Sequence, residues 1–161
     1  MKSIVLILGV LALAAMACNL TFTPAAAATP TFVAVTPTGD EAEQVTSVVV
    51  EFGARLQNVS LMAPDAAEQI EDQYAEFVHP DLLAEWMADP EQAPGRTTSS
   101  PWPDRIEVVG IEADGEGRYV VQAEVIEATS DNPEVDRYTI QLSLELIDGQ
   151  WLIVEYLFIE D

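Results

Sequence analysis

The side chain with the clearest potential for acid–base chemistry is Glu155, close to the C-terminus. The dipeptide Asp148-Gly149 predicts a two-residue hairpin turn, and a turn of that length fixes the register of its flanking strands. The pairs that follow are Ile147 with Gln150, Leu146 with Trp151, Leu144 with Ile153 and Leu142 with Glu155. Glu155 then lies on the apolar face, where lost hydration would favour its protonated form and suit it to act as an acid or base. A bulge, or a position at an open rim, would instead leave the carboxylate in water, and both alternatives stay open.

Other kinds of reactive centre find little support. His79 is the only histidine, and beside Pro80 at a helix junction it is expected to be a structural turn residue. One histidine and no cysteine after Cys18 exclude the usual zinc spacings, so we expect no metal centre. The acidic stretch 131–134 lacks the spacing of a calcium loop. No nucleophile elbow or phosphate-binding glycine loop occurs, so we expect no cofactor and no catalytic residue beyond the weak candidate Glu155.

Few polar groups could bind a ligand inside the fold. The candidates are Tyr74, Trp86, Tyr138 and Glu155. Tyr74 and Trp86 sit at helical spacing, which suits ordinary core packing equally well. The sequence therefore favours binding over catalysis and does not identify the ligand.

The N-terminus has the pattern of an export signal. Lys2 precedes an apolar run from Ile4 to Met16, which at ~1.5 Å per helical residue is too short for a ~30 Å bilayer core. The run ends in Ala15-Met16-Ala17-Cys18, which resembles the lipobox of bacterial lipoproteins, although these usually carry Leu where this chain has Ala15. The resemblance implies cleavage between Ala17 and Cys18, lipid on the Cys18 thiol, and an anchor on the extracytoplasmic face of a bacterial membrane. The alternative is an ordinary secretory signal that happens to contain a cysteine.

The chain divides into three segments. Residues 1–17 are the predicted signal peptide, and residues 18–39 are the lipidated cysteine with a Thr-, Ala- and Pro-rich tether that has no helical or strand period. Residues 40–161 form one domain of ordinary size.

The domain begins with helical patterns and ends with strands. Asp40 caps a first helix whose apolar face carries Val45, Val49, Phe52 and Leu56. A second helix opens at Pro64, a third spans 81–87, and residues 88–104 form a loop. Strands are predicted over 106–113, 119–129, 138–146 and 151–159. Helices followed by an antiparallel meander indicate an α+β fold with the helices on one face of a four-stranded sheet.

This pattern resembles the nuclear-transport-factor-2-like (SnoaL-like, cystatin-like) superfamily, in which helices and a curved sheet form a cone. The resembling residues are the short helix 79–83, His-Pro-Asp-Leu-Leu, and the closing hairpin 148–153, Asp-Gly-Gln-Trp-Leu-Ile. The chain lacks the early hairpin that such domains usually place between helices two and three. Because the superfamily contains enzymes, binding modules and assembly domains, the resemblance implies a fold more than a function.

The charge narrows the choice of partner. The formal charge of -22 becomes -23 when residues 1–17, with the only lysine, are removed. Such a surface repels nucleic acids, and it serves either solubility or attraction of cations and basic partners. We expect a membrane-tethered, acidic, non-enzymatic binding or accessory domain, with a small-molecule enzyme or an assembly domain as alternatives. A homodimer is expected through Leu152, Val154 and Tyr156, which the predicted register places in a row on the outer face.

Overall fold

The computed structural model describes residues 39–159. The predicted signal peptide, the cleavage site at Ala17, the lipidation site at Cys18 and most of the tether lie outside the described residues. No described helix is both long and apolar enough to span a membrane.

Three helices precede the sheet. Helix α1 spans Asp40–Gly53, α2 spans Ala66–Tyr74 and α3 spans Pro80–Ala88, with short 3-10 turns at Leu56–Asn58 and Pro90–Gln92. Acidic residues fill the first turn of α1, where they face the positive end of the helix dipole, and Val45, Val49 and Phe52 are buried on one face as predicted.

Three predicted boundaries were wrong. Helix α1 includes Asp40, which was expected to cap it, because Gly39 is the N-cap residue; the helix ends at Gly53, so Leu56 lies in the following 3-10 turn and not on the helix face. Helix α2 begins at Ala66 and not at Pro64, because residues 63–65 form a turn in which the Ala66 N–H bonds to the Ala63 carbonyl. The predicted loop 88–104 overlaps the first strand, which begins at Trp102 because Trp102 already pairs with Ala128.

Four strands form one antiparallel meander in sequence order. Strand β1 spans Trp102–Ala113, β2 Arg118–Ala128, β3 Asp136–Ile147 and β4 Gln150–Phe158. Asp148 and Gly149 have φ values of 52° and 86°, the positive values that a tight two-residue hairpin requires. The α+β fold, with helices on one face of a four-stranded antiparallel sheet, is therefore confirmed.

The core lies between the helices and the inner face of the sheet. Buried residues of α1 and α2 meet the inward side chains of all four strands, which include Ile106, Val121, Leu142 and Ile153. The closest approach is at Gly53, where a Cβ atom would lie 2.7 Å from the Ile106 backbone nitrogen. Glycine at this position lets α1 rest directly on β1.

A bulge divides β4 into two halves. The predicted pairs hold as far as Leu144 with Ile153, but Glu155 then pairs with Ser143 and Tyr156 with Leu142. One extra residue, Val154, accounts for the shift, and one residue is enough to exchange the faces of every side chain after it. The predicted pairing of Leu142 with Glu155 was therefore wrong, and the bulge kept as an alternative is what the chain adopts.

Candidate functional site

Aromatic rings fill the space between the helices and the second half of β4. Phe52 lies 5.0 Å from Tyr74 and 6.4 Å from Trp86, measured between ring centroids, and Trp86 lies 6.1 Å from Tyr156. Tyr74 is fully buried and Trp86 nearly so. Two of the predicted binding residues, Tyr74 and Trp86, are thus packed in the core, and Tyr156 joins them because the bulge turns it inward.

The hydroxyl groups of these tyrosines have unequal surroundings. The Tyr74 hydroxyl donates a hydrogen bond to the Pro94 carbonyl at 2.7 Å. The Tyr156 hydroxyl is buried beside the Tyr138 hydroxyl and makes no well-aligned hydrogen bond among the described residues. Burial raises the pKa of both phenols well above the ordinary value for tyrosine, so both stay neutral at physiological pH.

The rings of Phe52, Tyr74, Trp86 and Tyr156 form what we call the ring cluster. Tyr138, a third predicted binding residue, is half-buried at the end of this cluster. Its ring lies 5.7 Å from that of Phe158, and burial raises the pKa of Tyr138 to about 12. This end of the inner face also carries Glu127, which the sequence reasoning missed. Burial raises the pKa of the Glu127 carboxyl, and the opposing Asp136 carboxylate adds to the effect. A correct register for β2 against β3 would have placed Glu127 on the inner face beside Tyr138.

Glu155 lies on the other face of the sheet. Its carboxylate accepts a hydrogen bond of 2.9 Å from the Ser143 hydroxyl, and Ser143 is buried on that outer face. The structure therefore keeps Glu155 apart from Tyr74 and Tyr138, although Glu155 and Trp86 both line a groove at the edge of the sheet. The raised-pKa carboxyl near the rings belongs to Glu127, and the sequence prediction of an inward Glu155 was wrong.

The predicted outer-face row is not formed. Tyr156 opposes Leu142 on the inner face, so it cannot line up with Leu152, which opposes Glu145 on the outer face. Val154 lies at the bulge between them. The homodimer itself stays a prediction, but the contiguous apolar row offered for it was wrong.

The first half of β4 has its outer edge covered. The Ile153 N–H donates to the Phe77 carbonyl at 2.8 Å, and the His79 N–H donates to the Ile153 carbonyl at 2.9 Å. His79 then accepts a hydrogen bond on Nδ1 from the Asp81 N–H, which caps α3. These contacts define a bridging segment, residues 77–79, which lies against β4. The expected structural role of His79 is consistent with them, because His79 joins the bridging segment to α3.

The second half of β4 has a free edge. The Ile159 N–H donates to the Thr139 carbonyl of β3 at 3.0 Å. Backbone groups alternate in direction along an antiparallel strand, so the N–H and C=O groups of Tyr156 and Phe158 point away from β3. Within residues 39–159 no other segment bonds to them.

A groove of about 650 Å³ runs between this free edge and α3, and we call it the edge groove. On its helix side, Leu82, Glu85 and Trp86 of α3 and Asp89 just after it are spaced i, i+3, i+4 and i+7, so they share one face of the helix. Its strand side is the second half of β4. The lining residues are Leu82, Glu85, Trp86, Ala88, Asp89 and Gln92 on the helix side and Val154, Glu155, Tyr156 and Leu157 on the strand side.

The edge groove is acidic and partly apolar. Glu85, Asp89 and Glu155 are the charged residues of its lining, which contains no lysine or arginine. The cations of the sheet are engaged elsewhere: Arg105 and Arg118, for example, form ion pairs with Glu107 and Glu145 at 2.7 and 3.2 Å. Nothing in the lining offsets its negative charge, so the groove attracts cations.

No family model matches the chain, and no curated protein matches it closely enough to count as a relative. Solved structures with a similar arrangement include the intermembrane space region of the chloroplast protein ARC6, at 19% identity over 78% of this chain and all of that one, with a TM-score of 0.41. The TraE protein, in complex with a pyrrolyl-pyridine carboxylic acid, is 11% identical over 78% of this chain and all of that one, with a TM-score of 0.43.

A protein called Rd1NTF2_05 with further substitutions is 14% identical over 74% of this chain and 97% of its own, with a TM-score of 0.39. All three TM-scores lie below 0.5, so these likenesses carry no argument about what the chain does. The chain is accordingly described by its own elements, as three helices on one face of a bulged four-stranded antiparallel sheet.

Proposed function

We propose that this chain is a lipid-anchored protein of the bacterial cell envelope whose folded domain binds a partner and catalyses no reaction. The observation that carries the proposal is the position of Tyr156. With its ring against Phe52 and Trp86, Tyr156 helps to fill the space between helices and sheet, and the edge groove lies at the margin of that space, beside β4.

The anchor rests on the N-terminal sequence. A short apolar run that ends at the only cysteine, Cys18, suits lipid attachment, and a tether of about twenty residues would hold the domain up to about 60 Å from the membrane at ~3.1 Å per residue. Stable anchoring needs more than one acyl chain, which a lipidated N-terminal cysteine supplies.

Binding is favoured over catalysis by where the carboxylates lie. Glu155, the candidate acid or base, is bonded to Ser143 on the outer face and is separated from the tyrosine hydroxyls by the sheet. An assembly domain is the remaining alternative. Its predicted apolar row is interrupted by the bulge, and the formal charge of -22 opposes contact between two copies.

The anchor is tested by fractionation of cells that express the full chain. Wild-type protein is expected in the membrane fraction, and Cys18→Ala is expected to be released or to remain unprocessed. Asn19→Ala, one residue further on, is the matched control and should fractionate like the wild type. Wild-type protein that stays soluble would contradict the anchor.

Partner binding is tested by carbodiimide coupling of isolated membranes, which joins carboxylates directly to amines. The chain has 28 acidic side chains and a single lysine, Lys2, which lies in the predicted signal peptide. A mature copy therefore offers no lysine to a second copy, and its other amine, on Cys18, lies at the lipidated end; mass spectrometry of a discrete larger adduct identifies the protein that is joined to it. We expect such an adduct for the wild type and Asn19→Ala and its loss with Cys18→Ala. Abundant membrane-bound protein without any adduct would contradict partner binding.

A further inference from the structure

We propose that the edge groove binds an extended, basic segment of a partner protein, which adds as a further strand to the free edge of β4. This inference rests on the proposed function, because it names the chemistry of the partner and the surface that holds it. Three independent features of the groove carry it: unpaired backbone groups, uncompensated carboxylates, and an apolar wall of suitable length.

The backbone of the second half of β4 is ready to pair. The bridging segment 77–79 bonds to Ile153 and runs parallel to β4, then turns away into α3 at Pro80. The next outward-facing backbone groups along the strand, at Tyr156 and Phe158, are not bonded to any other segment within residues 39–159. An extended peptide can bond to such an edge through its main chain, whatever its sequence.

The dimensions of the site suit a short strand. Residues 154–158 span about 17 Å at roughly 3.4 Å per residue, which gives room for a segment of five or six residues. The volume of about 650 Å³ lies within the usual range of about 300–1,000 Å³ for ligand sites. Leu82 and Leu157 offer apolar contacts on opposite walls, and alternate side chains of a docked strand would reach them.

The charge selects the composition of the segment. Glu85 on α3 and Asp89, the residue that follows α3, lie one turn apart, Glu155 lines the strand side, and the lining contains no basic group. Arginine or lysine side chains of the segment would meet these carboxylates, and its apolar side chains would meet the leucines, on either wall of the groove. A second copy of this chain would bring carboxylates against carboxylates and fits the groove poorly.

Binding is measured by fluorescence anisotropy with a labelled seven-residue peptide of alternating arginine and valine. The protein is the full processed chain, purified from membranes in mild detergent. We expect saturable binding that weakens as the salt concentration rises from about 0.05 to about 0.5 M, because the distance over which charges attract each other shortens strongly across this range. The same peptide with glutamate in place of arginine should not bind.

Charge variants separate the groove from the acidity of the whole surface. Glu85→Gln combined with Asp89→Asn should weaken binding about tenfold, since each exposed charge pair is worth up to about fivefold. Glu112→Gln combined with Glu116→Gln removes the same charge at an exposed turn outside the groove, and should change binding less than about twofold. Equal weakening by the two double variants would show non-specific attraction and overturn the proposal.

N-methylated peptides test the strand pairing. Methyl groups on alternate backbone nitrogens block hydrogen bonds along one edge of the peptide, so one of the two alternating sets should weaken binding at least about tenfold and the other should change it little. Equal tolerance of both sets would overturn strand addition. A carbodiimide adduct on membranes that persists with Glu85→Gln and Asp89→Asn, beside unchanged peptide affinity, would refute the edge groove and leave partner binding intact.

Discussion

Two buried tyrosines offer a matched test of the packing around the ring cluster. Tyr74→Phe and Tyr156→Phe each remove one buried hydroxyl group, yet we expect unequal effects on the free energy of unfolding. The Tyr74 hydroxyl donates to the Pro94 carbonyl at 2.7 Å, whereas the Tyr156 hydroxyl lies beside that of Tyr138 without a well-aligned hydrogen bond among the described residues.

The magnitudes follow from what each hydroxyl leaves behind. Tyr74→Phe loses a hydrogen bond and strands the buried Pro94 carbonyl, at a cost of about 1–3 kcal/mol. Tyr156→Phe removes a desolvated hydroxyl and loses a weak contact with the Tyr138 hydroxyl, so stability should change by less than about 1 kcal/mol. For a domain of this size each kcal/mol moves the thermal midpoint by about 4 °C, so Tyr74→Phe should melt several degrees, roughly 8 °C, below Tyr156→Phe.

Urea titration followed by tryptophan fluorescence measures the difference. Trp86 lies 6.0 Å from Tyr74 and 6.1 Å from Tyr156, so it reports unfolding at the site of each change. The denaturant slope should match the wild type, since neither variant alters the surface exposed on unfolding. If Tyr156→Phe destabilised the protein as much as Tyr74→Phe, the Tyr156 hydroxyl would make a well-aligned hydrogen bond and our account of the ring cluster would be refuted.

Two further changes test the fold and its titration. Gly53→Ala should lower the free energy of unfolding by about 1–3 kcal/mol in a urea titration, because the new methyl group would meet Ile106 at 2.7–2.8 Å; Gly110→Ala, which meets nothing within 4 Å, is the control, and equal losses would contradict the close approach of α1 to β1. Glu127→Gln should stabilise the protein at pH 7, because burial raises the pKa of Glu127 in the folded state and its ionised form therefore costs stability once the pH rises above about 4. The gain should shrink towards zero as the pH falls below about 4, and Glu112→Gln, which removes an exposed carboxylate from β1, is measured beside it as the control; a gain that grew on acidification would reverse the direction assigned to the Glu127 pKa.

The sequence predicted the elements well because their signals are local. The acidic first turn and apolar face of α1, the change of period after residue 104, and Asp148-Gly149 each act within a few residues. The fold class followed from their order.

The candidate site was harder to predict, because it depends on one inserted residue. A bulge at Val154 needs no glycine, so no turn residue announces it. The spacing of the apolar residues along β4 nevertheless indicated it. Tyr156 and Phe158 alternate in phase with each other and out of phase with Trp151 and Ile153, and an aromatic pair is a better inward choice than Glu155 and Leu157. The edge groove was beyond prediction, since it requires knowing where the bridging segment 77–79 leaves the strand.

Inward side chains occupy odd-numbered positions in the first half of β4 and even-numbered positions in the second half. The bulge between the halves therefore decides which insertions and deletions this strand can accept. Deleting Val154 would give a regular strand in which Glu155 still pairs with Ser143 and Tyr156 with Leu142, whereas straightening the strand with Val154 retained would turn Glu155 towards the rings and expel Tyr156. An alignment with a relative that lacks the bulge therefore needs a gap at Val154, because an alignment without one would match core positions to surface positions. Substitutions on the outer face of the second half of β4, which has the free edge, would leave the first half, whose edge the segment 77–79 covers, undisturbed.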